Sequence, residues 1–214
     1  MKKKSVFLVL FFSLTSIFSF AQSFNGGLIG GATFAQIDGE KLAGYHKLGL
    51  TGGAYVNIPV AEHFVLQTEL KYTQMGAKST IKEAEIQNKD LNIRLHYVEF
   101  PIMMRYDFGY FIVNGKKADF INLEAGLSLD FLMKSVEEIN GAVEETAQFW
   151  KFFSITANAG IHFILTDHIG IGARMIYSIT PIRTNTISSI WNHGHSTNKV
   201  IQLTLTYNIN SPLR

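Results

Sequence analysis

The sequence predicts an all-β fold, an eight-stranded antiparallel up-and-down transmembrane β-barrel, and three observations predict it. Eight segments alternate apolar and polar residues with the period of two that a strand imposes. Their seven connections run long, short, long, short, long, short, long, as they must when hairpins gather their turns at two opposite rims. The polar face mixes charges with Gly, Ser and Thr, while the apolar face carries aromatic residues toward the segment ends, an apolar-out, polar-in wall.

The clearest segment is 95–106, LHYVEFPIMMRY. Val98, Phe100, Ile102, Met104 and Tyr106 fall on one face, and Tyr97, Glu99, Pro101, Met103 and Arg105 on the other. A two-sided core strand would not tolerate the carboxylate and guanidinium. A solvated face would have no reason to flank them with Met and Tyr. A lipid-facing wall around a polar interior satisfies both.

Residues 1–21 have the layout of a cleaved signal peptide: Lys2, Lys3 and Lys4, an apolar run from Val6 to Phe20, and small residues at Ser19 and Ala21. The alternative, a membrane anchor, needs about 20 apolar residues, and this run is shorter and carries serines and a threonine. Losing the leader takes Lys+Arg from 19 to 16 against 17 Asp+Glu, so the formal charge moves from +2 to −1. Charge therefore gives no support for a nucleic-acid partner. With no cysteine, the barrel domain, 22–214, is held by hydrogen bonds and packing alone.

The first strand, 24–36, sets Leu28, Ala32 and Phe34 against Gly27, Gly31 and Thr33, its glycines marking curvature or close backbone approach. A polar loop from 38 to 47 follows. The second strand, 48–58, sets Leu48, Leu50, Ala54, Val56 and Ile58 against Gly49, Thr51, Gly53, Tyr55 and Asn57, and 59–63 is a turn. The third, 64–75, opposes Phe64, Leu66, Leu70 and Tyr72 to Gln67, Glu69, Lys71 and Thr73. The charge-rich stretch 76–92 reads as a long loop before the fourth strand.

The connection from 107 to 117 contains Asn114-Gly115, a hairpin signal able to extend both flanking strands. The fifth strand, 120–133, sets Leu123, Ala125, Leu127, Leu129, Phe131 and Met133 against Asn122, Glu124, Gly126, Ser128 and Asp130. Glutamate-rich 134–148 reads as a loop. The sixth, 152–165, and seventh, 169–180, flank a turn at 166–168, and the seventh turns Arg174 to its polar face. A last long loop, 181–198, leads to the eighth strand, 200–209. An even strand count puts both termini at the short-turn rim, the periplasmic side of an outer-membrane barrel.

YVEFPIMMRY resembles the tyrosine-x-glutamate-x-proline run of the PorT-like outer-membrane β-barrel family of Bacteroidota, often labelled porin family proteins. NLEAGLSLDFL, GIGARMIYSI and KVIQLTLTYNI resemble that family's fifth, seventh and final strands. The resemblance implies an eight-stranded barrel in the cell outer membrane, in contact with outer-membrane lipid. It points to envelope or type IX secretion proteins as partners and implies no cofactor and no functional residue. The chain ends NINSPLR and not on a terminal aromatic; Tyr207 is the nearest substitute.

Seven charged residues share the inward parity: Glu69, Lys71, Glu99, Arg105, Glu124, Asp130 and Arg174. Eight strands enclose a space that side chains fill, and unpaired buried charges are costly. The expectation is a structural polar network, with a narrow conduit or small-ligand pocket as the alternative. His193 and His195, beside Trp191 and Ser196, form the one H-x-H pair. Neither cysteine nor a nearby carboxylate completes a metal set there, and Ser196 with His195 and a loop glutamate is the one arrangement suggesting a lipid-modifying enzyme. No nucleophile elbow or phosphate loop follows a strand, so the expectation is a non-enzymatic barrel. A secreted lipocalin-like carrier would reverse the two faces.

Overall fold

The computed structural model describes residues 24–38, 44–80, 84–85, 90–108, 111–113, 116–118, 121–144, 147–166, 168–183 and 196–209. The expected leader, 1–21, and Trp191, His193 and His195 lie outside them. Eight strands form the wall: β1 (Asn25–Asp38), β2 (Lys47–Ala61), β3 (Phe64–Lys78), β4 (Leu91–Asp107), β7 (Ile121–Ile139), β9 (Phe153–Ile164), β10 (Ile169–Ser178) and β11 (Thr197–Asn208). Each pairs antiparallel with its chain neighbours, and β1 closes on β11 with Gly31 opposite Thr204. The ring therefore closes with every wall strand paired on both sides over most of its length, the arrangement that satisfies backbone hydrogen bonding in lipid.

Four connections differ from expectation. β3 runs to Lys78 and β4 starts at Leu91, so both ends of the charge-rich 76–92, residues 76–78 and 91–92, are wall and not loop. β7 continues to Ile139 and turns at Asn140 and Gly141, with φ of 51° and 80°, into β8 (Ala142–Glu144), which pairs back onto it. Residues flanking 114–115 do not extend the wall strands. They form a separate hairpin of β5 (Phe111–Val113) and β6 (Lys116–Ala118). The turn expected at 59–63 is shortened too, since β2 continues through a register shift between Pro59 and Ala61.

The barrel faces follow the alternation. Phe100, Leu127 and Leu205 are 42, 53 and 55% exposed on the outside, while Glu69, Glu124 and Arg174 are 3, 5 and 4% exposed within. Inward glycines let strands coil tightly: a Cβ on Gly31 would stand 2.0 Å from the Leu203 carbonyl oxygen. Outward aromatics form two belts, Phe64, Tyr106, Phe108 and Tyr207 toward the short turns, and Tyr72, Phe100, Phe131, Phe153 and Tyr177 toward the long connections. The belts are knitted by ring contacts such as Phe64 to Tyr106 at 5.1 Å and Phe131 to Phe153 at 5.4 Å.

A tilted strand crosses the hydrocarbon in about 9–11 residues, yet β4 has 17 and β7 has 19. Above the upper aromatic belt the polarity reverses without a break in alternation. In β4, Leu91, Ile93 and Leu95 turn inward and Asn92, Arg94 and His96 outward. The inward side chains pack with Ala35, Ile37, Met75, Ala77, Ile176, Val200, Trp150 and Ile182 into an apolar core. Burying each large one contributes about 1.5–3 kcal/mol, and an apolar core inside a polar wall is what water demands. The membrane-crossing segments are therefore shorter than the strands: 97–106 of β4 and 48–58 of β2. The expectation of a polar interior is corrected for the loop-side end, where the interior is greasy.

Candidate functional site

Six of the seven expected residues join one network in the membrane-level lumen. Arg174, on β10, donates from both terminal nitrogens to Glu69 on β3, at 2.9 and 3.0 Å, and from Nε to Glu124 Oε1 on β7 at 2.9 Å. β3 and β10 stand four places apart in a ring of eight, so the bidentate pair spans the lumen along a diameter. Arginine suits this position because its fork meets a carboxylate in two parallel bonds.

Lys71 lies 3.4 Å from Glu69 and 3.2 Å from Glu99, and donates to Gln202 Oε1 on β11 at 3.1 Å. Thr73 donates to Glu99, and its hydroxyl meets that of Thr51. Toward the short turns, Arg105 donates to Gln67 Oε1 at 2.8 Å, and Gln67 donates to Glu69. The other side of Arg105 meets His162 Nδ1 at 3.2 Å, and His162 Nε2 contacts the Thr206 hydroxyl. All of these charged groups are buried, so each depends on its partners to offset lost hydration.

Asp130 is the exception. It stands opposite Glu99 on neighbouring strands, accepts a hydrogen bond from Ser128, and among the described residues has no cation within ion-pair distance. The neutral member Gln67 links Arg105 to Glu69, while His162, Gln202 and Thr73 extend the network outward from Arg105, Lys71 and Glu99. A search for charge alone passes over them, though all lie on the inward parity of their strands.

Above the network, Asn198 of β11 reaches the Tyr97 hydroxyl on β4 at 3.4 Å, again between opposite strands. The apolar core lies over it. Residues 150–151 and 182–183 fold across the mouth: Trp150 bridges Arg183, and Lys151 donates its backbone N–H to Ile182. Arg183 donates to Glu137 at 2.9 Å, with its guanidinium carbon 4.8 Å from the Trp150 ring centroid. This cap on the barrel was not legible in the loop compositions. Outside it, Asp38 pairs with Lys199 and raises that ammonium above its ordinary value.

Ser196 is buried, with its carbonyl accepting from Ile182 N–H; the His193 and His195 expectation falls outside the described residues. Among the described residues no group of three or more His, Asp or Glu stands close enough to hold a metal ion.

A closed wall with apolar residues outside and an interlocked polar interior defines an integral membrane β-barrel. A family profile described as "Outer membrane protein beta-barrel domain" matches residues 20–184, and the chain belongs to that family. It is thus an outer-membrane β-barrel protein. Among solved structures it is similar to Ail, the attachment invasion locus protein of Yersinia pestis, in complex with the heparin analogue sucrose octasulfate. There the identity is 11%, the TM-score 0.46, and the match covers 87% of this chain and 99% of that one. Neisserial surface protein A is similar at 12% identity and TM-score 0.46, covering 87% and 97%. The outer membrane protein AlkL in DMPC bilayers is similar at 10% and 0.37, covering 86% and 90%. No curated protein matches the chain in sequence.

Proposed function

We propose that this protein is a non-enzymatic, non-conducting barrel that serves as a structural or interaction component of the outer membrane. Its long connections face outward and both termini face the periplasm. The observation that carries the reading is the double closure of the lumen. The Arg174–Glu69 pair crosses it at membrane level, and the apolar core under the Trp150–Arg183 bridge closes it above. Among the described residues the carboxylates of the network are engaged by cations, amides or hydroxyls, so interlocked side chains occupy the lumen at membrane level. What remains for partners is the rim and the outer wall.

The PorT-like run of the fourth strand makes envelope and secretion proteins the partner class to examine first. Photo-crosslinking groups placed at Met133, Val143 and Phe152, exposed apolar positions of the upper wall and β8, test the reading in native membranes. The expected result is a discrete protein adduct. A purified barrel that changes the mass of co-reconstituted envelope lipid would overturn it.

A further inference from the structure

A groove of about 410 Å³ opens on the wall at the loop-side end of β2, β3, β4 and β7. Lys47, Gln74, Arg94, His96 and Lys134 line it, with Leu48, Met75 and Val136 as its apolar floor. The fold makes this opening: β2 and β3 pair only from Thr51 and Thr73 toward the short turns. Lys47, at the first residue of β2, reaches past the gap to Asn92 Oδ1 at 2.8 Å. On β7 the register shifts beside His96 and Tyr97, leaving Met133 unpaired and setting Lys134 opposite His96.

Charge in this groove is unbalanced. Lys47, Arg94 and Lys134 line it and the Lys78 charge acts on Lys47; no carboxylate is among the lining residues described, and Glu138 beside them is bonded by Arg94 and Asn92. Burial, then the Arg94 and Lys78 charges, hold the Lys47 ammonium below its ordinary value. A cluster of like charge is stable where an anion joins it.

The height of the groove says which anion. Tyr72, in the upper aromatic belt, bonds His96 through its hydroxyl, and Gln74 donates to the same oxygen at 3.1 Å. Directly below, Leu50, Leu70 and Phe100 are exposed as lipid-facing wall. The groove thus sits at the level where acyl chains end and headgroups begin, and basic pockets at that level take lipid phosphates. The geometry points to a binding site for the phosphate of an outer-leaflet glycolipid, held by Lys47, Arg94 and Lys134 with its acyl chains lying on the Leu48 to Leu70 wall. The assignment to the outer leaflet rests on the orientation proposed above.

Native mass spectrometry of the folded protein with a bis-phosphorylated lipid A, its dephosphorylated form and phosphatidylglycerol tests this. Wild type should retain the phosphorylated glycolipid, and Lys47→Gln/Lys134→Gln should bind it roughly tenfold or more weakly while keeping heat-modifiable migration. Lys134→Arg should bind as wild type. Equal binding by the double variant, equal binding of the dephosphorylated lipid, or full displacement by inorganic phosphate would overturn the lipid site. Labelling of Lys134→Cys on intact cells by an impermeant maleimide separates the two readings. Labelling supports the outer leaflet. Protection, with phosphatidylglycerol bound in a lysine-dependent way, overturns the leaflet and the proposed orientation while leaving the phosphate chemistry standing.

Discussion

Arg174 and Glu69, 105 residues apart in the chain, meet in a bidentate pair across the full width of the barrel. Their strands touch no common neighbour, so the pair ties opposite walls and occupies the axis. Removing one partner leaves the other buried and partly unpaired, a loss of about 3–5 kcal/mol. Glu69→Gln should lower the unfolding free energy by that amount in urea titrations of vesicle-embedded protein.

Asp130 supplies the matched comparison. It shares burial with Glu69 but among the described residues has no cationic partner and faces Glu99 across the strand pair. Asp130→Asn removes no ion pair, so its cost should stay within about 1 kcal/mol in the same titration. A cost equal to that of Glu69→Gln would refute the pairing described here.

The polarity reversal predicts that the sensitive face of the wall is the inner one above the belt and the outer one below it. Leu95→Ala empties part of the upper core and should cost about 2–5 kcal/mol. Ile102 lies lower on the same strand and is exposed; Ile102→Arg places a charge in lipid and should cost about 2–4 kcal/mol. Gln36→Arg, on the outward face of β1 above the belt, should be nearly neutral. Unfolding titrations of the three variants check the order.

Gly53 faces Lys71 across β2 and β3, and a Cβ there would stand 2.1 Å from the Leu70 carbonyl oxygen. Gly53→Ala must shift backbone and with it Lys71. Loss of heat-modifiable migration, or stability reduced by at least about 1 kcal/mol, is the expected outcome.

Strand number, wall faces and the inward parity of all seven charges were legible because lipid and lumen impose opposite demands on alternate residues. The upper storey was not. In LNIRLHY the alternation runs on from Tyr97 to Leu91, but charged and amide residues take the outward places, so composition there looks like loop. What would have found it is parity: Leu91, Ile93 and Leu95 share the face of Glu99, so the same strand continues through a change of solvent. The Glu137–Arg183–Trp150 cap joins residues from two connections, and nothing local in either marks the contact.

The central claim is that one wall meets lipid below and water above. The chain has no cysteine, so single nitroxide labels at Leu127, Leu205 and Gln36 each report one place. Power-saturation EPR in vesicles should show Leu127 and Leu205 accessible to oxygen and shielded from a water-soluble nickel complex, and Gln36 the reverse. Water-like accessibility at Leu127 or Leu205, or lipid-like accessibility at Gln36, would contradict it.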